Sequence, residues 1–132
     1  MKHFRMRLLD STHSQEIAHL TSFVGEDASG SFGILAGHSR IMTLLRPGLA
    51  RYRIDERPWV YLALPGALLY FKDNLLTLST RRYLLDEDYR RISQALREQL
   101  LAEEEKLVGI KRSLHRMEES VMRKLWEMGR EG

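Results

Sequence analysis

The periodicity of the apolar residues changes at Asp86, and this change constrains the fold more than any other feature of the sequence. From Asp86 to Met128 the chain has no proline and a single glycine, and apolar residues recur three or four positions apart except across Glu103. Such spacing places apolar side chains on one face of an α-helix. The face consists of Leu85, Tyr89, Ile92, Leu96, Leu100, Leu107, Ile110, Leu114, Met117, Val121, Leu125 and Met128. We therefore expect residues 85–132 to form a helical C-terminal domain.

The single glycine, Gly109, leaves the form of this helical domain open. A glycine can end a helix in the left-handed conformation, which would give an αα-hairpin. Inside a helix it costs only about 1 kcal/mol relative to alanine, and the apolar face stays in phase across it. Both an αα-hairpin and one long helix are compatible with the sequence. Asp86, Glu87 and Asp88 supply acids at the expected helix start, where aspartate can cap and negative charge favours the helix dipole.

Residues 1–84 contain short apolar runs instead. Phe4, Met6 and Leu8 alternate with Arg5 and Arg7, which is the period of a half-buried strand. Further runs, separated by glycine, proline, aspartate or asparagine, predict strands near 17–24, 32–35, 41–45, 49–52, 59–64, 67–71 and 75–78. We therefore expect an α+β protein, with an antiparallel β-sandwich or barrel in residues 1–84 followed by the helical domain.

The composition excludes several classes of function. The chain has no cysteine, which rules out a disulfide framework, a thiolate metal site and a thiol nucleophile. Its five histidines show no spacing typical of a metal site. With a net charge of +3, neither half of the chain is basic enough to make nucleic acid the expected partner. No run approaches the roughly 18 apolar residues needed to cross a bilayer, and the N-terminus lacks a secretory apolar region. We expect no metal, no cofactor and membrane association only through partners.

The stretch from Gly30 to Gly48 resembles a known family signature. Gly30-Ser-Phe-Gly-Ile-Leu-Ala-Gly-His38, followed by Leu44-Leu-Arg-Pro-Gly48, is similar to the G-x-[LF]-G-I-L-P-G-H and L-x-P-G segments of the epsilon subunit of rotary F-type ATP synthases. The segment from Tyr61 to Ala67 and the run from Asp73 to Leu78 resemble later parts of this family's N-terminal domain, which is a β-sandwich. The resemblance covers nearly the whole chain.

This resemblance implies a noncatalytic subunit of the central stalk. Such a subunit links the gamma shaft to the c ring, couples ion flow to ATP synthesis, and in several family members restrains ATP hydrolysis through its C-terminal helices. The implied partners are the gamma subunit, the c ring and the catalytic alpha/beta head. The implied location is peripheral, at the cytoplasmic face of the bacterial plasma membrane.

The resemblance also implies three sets of contact residues. The surface facing the gamma subunit would include Gly37, His38, Ser39, Arg40 and Met42. The end near the c ring would include Ser31 and Phe32. On the C-terminal helix, Arg112, Arg116, Arg123 and Lys124 would meet the catalytic head, although the acids interspersed among them favour ordinary solvent exposure.

The sequence departs from the family pattern at several positions. Ala36 stands where proline is usual, and Ser31 stands where an acid facing the c ring is common. The ATP-binding pattern [IL]-D-x-x-R-A is not reproduced after Leu85-Asp86, where Arg90 is one position late. On a helix this shift would rotate the guanidinium by about 100°. We therefore do not predict ATP binding. The departures from the family pattern indicate a divergent branch of the family, such as one that serves an alternative or sodium-translocating enzyme.

Two other functions are compatible with the same residues. One is a free-standing β-sandwich binding module with a self-associating helical tail, in which Trp126 and Met128 anchor a partner helix. The other is an enzyme that uses His38, since histidine titrates near neutral pH. No acid or nucleophile at a suitable spacing supports catalysis, so we expect His38 to shape a loop or an interface.

Overall fold

The apolar runs form ten β-strands in a computed structural model that describes residues 2–131, without the side chains of Glu104 and residues 127–131. The strands are β1 (Phe4–Leu9), β2 (Ser14–Leu20), β3 (Ser22–Asp27), β4 (Gly30–Ile34), β5 (Ile41–Leu45), β6 (Gly48–Arg53), β7 (Val60–Leu64), β8 (Ala67–Lys72), β9 (Leu75–Ser79) and β10 (Leu84–Asp86). The helical residues form α1 (Tyr89–Ala95), a π-helical segment (Leu96–Leu101) and α2 (Ala102–Glu131). The expected antiparallel β-sandwich followed by a helical segment is confirmed.

The strands form the two layers of the sandwich. One layer has the order β10-β7-β6-β3, with β4 paired to β3, and the other has the order β5-β8-β9-β1-β2. The layers are joined where Asp27 of β3 pairs with Leu45 of β5. The strand pairs are antiparallel except for β1 with β9, which run parallel from the Arg5–Leu75 pair to the Leu9–Ser79 pair. This parallel pair had no signal in the sequence.

Alternation along the strands fills the space between the layers. Phe4, Met6 and Leu8 of β1 are fully buried, while Arg5 and Arg7 between them are exposed. Phe4 meets Phe71 of β8 edge to face, with ring centroids 5.6 Å apart, a geometry that aromatic pairs favour. Strand β1 is therefore buried on one face and exposed on the other, as its sequence predicted.

One predicted strand, residues 17–24, is wrong in its extent, because two strands occupy this part of the chain. The chain turns at Thr21, between β2 and β3, and His19 just before it has a φ of 66°. The Thr21 hydroxyl donates to the carbonyl oxygen of Arg53 at 3.1 Å and accepts from the amide of Asp55 at 3.0 Å. Side-chain hydrogen bonds hold this turn, so neither glycine nor proline marks it.

The helical region begins later than the acids at 86–88 suggested. Asp86 lies in β10, and Asp88 is the N-cap, whose carboxylate accepts from the amide of Arg91 at 3.1 Å. Of the two forms that Gly109 left open, the structure has the single C-terminal helix, because Gly109 lies inside α2. A Cβ at that position would meet no neighbour within 4 Å. No helix in the described part of the chain is long and apolar enough to cross a membrane.

The chain divides into two compact units, residues 1–101 and residues 102–132. The first unit therefore contains α1 and the π-helical segment as well as the sandwich. Their buried residues Ile92, Leu96 and Leu100 pack with Ala63 on the outward side of β7. Leu49, Tyr61, Leu84 and Leu101 complete this second, smaller apolar cluster.

Candidate functional site

Strands β5 and β8 carry apolar side chains on both of their faces. Their inward residues, among them Leu45, Leu69 and Phe71, belong to the core. On the outward face, Met42 pairs with Tyr70 and Leu44 pairs with Leu68 across the two strands. We call these four outward residues the β5–β8 patch.

The β5–β8 patch is open to solvent in this structure. Met42 is 61% exposed, Leu44 69% and Leu68 41%, and Tyr70 is half-buried. Scattered exposed apolar residues are common, but contiguous ones mark interaction surfaces. Here the strand register makes all four neighbours on one face, which favours an interface over chance exposure.

Charged groups border the patch. The guanidinium carbon of Arg40 lies 5.6 Å from the centre of the Tyr70 ring, within the range of a cation–π contact. Further along the same outward face, Arg5 of β1 donates to Glu16 of β2 at 2.9 Å. An apolar centre with polar groups around it is the usual composition of a protein–protein interface.

The loop from Leu35 to Arg40 borders the patch and is held by specific hydrogen bonds. The His38 amide donates to the Leu35 carbonyl at 3.1 Å, and the Gly37 amide donates to the side-chain oxygen of Asn74 at 2.7 Å. Gly37 has a φ of 82°, a conformation that glycine adopts without strain. Asp73 and Asn74, with φ of 51° and 57°, form the β8–β9 turn that supplies this contact. The two turns therefore fix one another.

His38 supports the shape of this loop. Its half-buried ring meets Phe71 edge to face at 5.9 Å. Its Nδ1 lies 2.7 Å from the carbonyl oxygen of Ser39, so Nδ1 carries the proton and donates it. This contact orients the ring without activating a nucleophile. The described residues also include no group of three or more histidine, aspartate or glutamate side chains placed to hold a metal ion.

The residues expected to face the gamma subunit are brought together. Gly37, His38, Ser39 and Arg40 form the loop, and Met42 begins the β5–β8 patch two residues later. Leu44, Leu68 and Tyr70 of the patch were not among the predicted residues. The sequence did contain a signal for outward-facing apolar residues, because neighbouring positions in β5 and in β8 are both apolar, whereas a half-buried strand alternates.

Ser31 and Phe32, the residues expected near the c ring, lie in β4 of the other layer. Ser31 is exposed, whereas Phe32 is partly buried and packs against the main core. Ser31 also lines a shallow cavity together with Glu26, Arg51 and Tyr89. Of the predicted pair, only the serine is free to contact a partner through its whole side chain.

The predicted basic residues of the helical domain all lie on α2 and are exposed. Because successive helical residues are about 100° apart, Arg112, Arg116 and Arg123 share one face, and Lys124 lies on another. Trp126 is 61% exposed, and the side chain of Met128 lies outside the described residues. The structure thus groups three of the four basic residues.

Asp86 and Arg91 form a bidentate ion pair in the first unit. Arg91 reaches the two carboxylate oxygens of Asp86 from Nε at 2.5 Å and from Nη2 at 2.7 Å. These hydrogen bonds lower the pKa of Asp86 to about 2. The sequence prediction placed Asp86 and Arg90 on the same helix. This placement is wrong, because Asp86 lies in β10. The Arg91 guanidinium therefore donates to both carboxylate oxygens of Asp86 and links β10 to the start of α1.

Several known proteins are similar to this chain in sequence or in fold. The family profile of the ATP synthase delta/epsilon chain beta-sandwich domain matches residues 8–85. An ATP synthase epsilon chain 2 of Cereibacter sphaeroides is 37% identical over 81 residues, which cover 61% of this chain and only 56% of that relative. An ATP synthase epsilon chain of Psychrobacter arcticus is 24% identical over 125 residues, which cover 92% of this chain and 91% of the relative.

The fold is also similar to a chain of the Euglena gracilis mitochondrial ATP synthase, in a structure of its OSCP/F1/c-ring assembly. The TM-score is 0.57 at 17% identity, and the match covers 70% of this chain and 61% of that chain. At this identity the similarity supports the fold alone. Together with the profile match over more than half of the sequence, these findings show that the chain belongs to the ATP synthase delta/epsilon family and is an epsilon-type chain of an F-type ATP synthase.

Proposed function

We propose that this chain is a noncatalytic rotor subunit that links the gamma shaft of an F-type ATP synthase to its c ring. The observation that carries the proposal is the exposed β5–β8 patch beside the loop of the family signature. A rigid sheet face of this kind suits a subunit that transmits torque, because it binds without first ordering a flexible segment.

The gamma subunit is the proposed occupant of the patch. Met42, Leu44 and Leu68 would supply the apolar centre, where most binding energy is concentrated in protein interfaces. Arg40 and Ser39 would supply polar contacts at the edge. His38 would act indirectly, by holding the loop against Phe71.

The c ring would meet the sandwich at Ser31, in the layer opposite the patch. A serine offers one hydroxyl in place of a charge, so this contact would be weaker than one made by an acid. The basic face of Arg112, Arg116 and Arg123 on α2 would contact the catalytic head and restrain ATP hydrolysis. Attachment to the membrane would then be peripheral and depend on the other subunits.

The test is co-purification of the full chain with the gamma subunit from the same genome, followed by mass determination. We expect a one-to-one complex. Leu44→Glu should weaken the complex at least 100-fold, because it places a charge in the centre of the interface. Ala28→Glu, at an exposed turn of the other layer, is the matched control and should bind like the parent chain.

Both variants should unfold at the same denaturant concentration as the parent, since both positions are exposed. A folded parent chain that binds no gamma subunit would refute the proposed function. Equal weakening by the two variants would refute the patch as the binding surface.

A further inference from the structure

The second compact unit exposes a continuous apolar stripe. Within α2 the stripe consists of Leu107, Ile110, Leu114, Met117, Val121 and Leu125, which are between 36% and 64% exposed. At about 100° per residue they lie within about 80° of one another around the helix. A helix with so much exposed apolar surface is stabilised when a partner covers it.

The order of the residues along the stripe favours a second copy of the same helix. Leu114 and Met117 lie equally far on either side of the point between residues 115 and 116, and so do Ile110 and Val121. The outer two, Leu107 and Leu125, depart from this symmetry by one residue. Two copies that run in opposite directions would therefore place Leu114 against Met117 and Ile110 against Val121 in both halves.

The charges beside the stripe select the antiparallel direction. Lys111 and Glu118 lie along the same edge of the stripe, at the positions that face each other when two helices of a coiled coil run antiparallel. Two-fold symmetry would make this opposite-charge pair twice. In a parallel pair in register, Lys111 would instead approach Lys106 of the second copy, and like charges would repel.

The other edge of the stripe is nearly neutral over its central part. Ser113 and Ser120 would face one another there, and neither carries a charge. Lys106 and Lys124 would approach one another only at the two ends of the pairing, where water screens their repulsion. The balance of charges therefore still favours the antiparallel arrangement.

We propose that the unassembled chain forms a homodimer in which α2 pairs antiparallel with α2 of a second copy through this stripe. The contact is short, about 28 Å at 1.5 Å per residue, so the dimer is weak and concentration-dependent. Its contact residues all lie in the second unit and include none of the β5–β8 patch, and the proposal does not depend on the proposed rotor function.

The first test is sedimentation equilibrium of the full chain over a wide range of concentrations. We expect a shift from monomer to dimer for the parent chain. Leu114→Glu should abolish the dimer, because it places a charge in the central apolar layer. Val108→Glu, an equally drastic change at a residue 45% exposed and about 100° away from Leu107 around the helix, should leave it intact.

The second test uses the charge pair to determine direction. Lys111→Glu and Glu118→Lys should each weaken the dimer about tenfold, because attraction becomes repulsion at two symmetric sites. The double variant Lys111→Glu/Glu118→Lys should restore it. A parent chain that stays monomeric at every concentration would overturn the proposal, and so would a double variant that is no tighter than the single ones.

A third test uses the absence of cysteine from the natural chain. Under a glutathione redox buffer, a mixture of Leu107→Cys and Leu125→Cys chains should form the mixed disulfide in preference to either symmetric one. The two positions lie within one residue of each other across the dimer, whereas two copies of either position are roughly 25 Å apart. Preference for a symmetric disulfide would overturn the antiparallel arrangement.

Discussion

The two outward faces of the sandwich differ in how they are covered. On β7 and β6, the chain covers its own sheet, because α1 and the π-helical segment pack Ile92, Leu96 and Leu100 against Ala63. On β5 and β8, the corresponding apolar residues remain open, with Leu44 69% exposed and Ala63 fully buried. The same type of surface is thus covered within the chain on one side and left open to solvent on the other.

This difference separates residues that stabilise the fold from residues that are available for binding. Substitutions on the covered face should reduce the free energy of unfolding, and substitutions on the open face should not. Both faces look alike in the sequence, because short apolar runs form both. The following experiments measure the difference directly.

The largest effect is expected from removing the cover altogether. A chain that ends at Arg82 lacks β10, α1 and the π-helical segment, so it exposes Leu49, Tyr61 and Ala63. We expect it to bind hydrophobic dyes and to aggregate. A chain that ends at Leu101 keeps the whole first unit and should stay monomeric and fold cooperatively. Equal behaviour of the two truncations would show that the cover contributes nothing.

A single substitution in the cover should have the next largest effect. Ile92 is 1% exposed, and Ile92→Ala should lower the free energy of unfolding by about 3 kcal/mol, as is typical of a cavity left by isoleucine. Leu44→Ala on the open face is the matched control and should change it by less than about 0.5 kcal/mol. Urea denaturation of both variants measures the contrast, which is absent if the two values agree.

The sequence predicted most of the sandwich because its strands alternate and its turns carry glycine, proline, aspartate or asparagine. The sequence prediction failed where side-chain hydrogen bonds, instead of these turn residues, set the end of a strand or the start of a helix. Thr21 divides β2 from β3 through hydroxyl hydrogen bonds, and β10 was taken as the helix start because Asp86 can also cap a helix. A helical pattern of three or four residues contains no signal for the π-helical turn at Leu96–Leu101.

The candidate site was predicted only in part for a related reason. The loop from Gly37 to Arg40 follows from the family signature, whereas Leu44 and Leu68 are leucines in strands, which sequence patterns assign to the core. The consecutive apolar residues of β5 and β8 show that some must face outward, but the pairing that makes Leu44 and Leu68 neighbours on one face cannot be read from the sequence. Gly109 could not be assigned either, because a cost of about 1 kcal/mol is too small to end a helix by itself.

The cover depends in turn on how α1 begins, and the capping residue should have a smaller effect than its buried residues. Asp88→Ala removes the carboxylate that accepts from the Arg91 amide and should cost about 1 kcal/mol. Asp88→Asn keeps an acceptor oxygen and should cost much less. Urea denaturation at neutral pH compares the two, and equal losses would mean that the cap is not the cause.

The smallest effect is expected from the Asp86–Arg91 pair, whose arginine is exposed, and it should depend on pH. Hydrogen bonds from Arg91 lower the pKa of Asp86 from 3.8 to about 2 in the folded chain. Because the folded pKa is depressed, the stabilisation is complete above about pH 5 and is lost as the pH falls from there through 2. Asp86→Asn should therefore be less stable than the parent at pH 7, and the gap should close toward pH 2.

The parent and three variants, Asp86→Asn, Arg91→Gln and the double variant, separate the pair from other acids that also titrate in this range. Subtracting the unfolding free energy of each variant from that of the parent at each pH cancels the carboxylates common to both. If the pair acts as a unit, the double variant should lose no more than either single variant. Additive losses, or a gap that persists at pH 2, would show that Asp86 stabilises the start of α1 by another route.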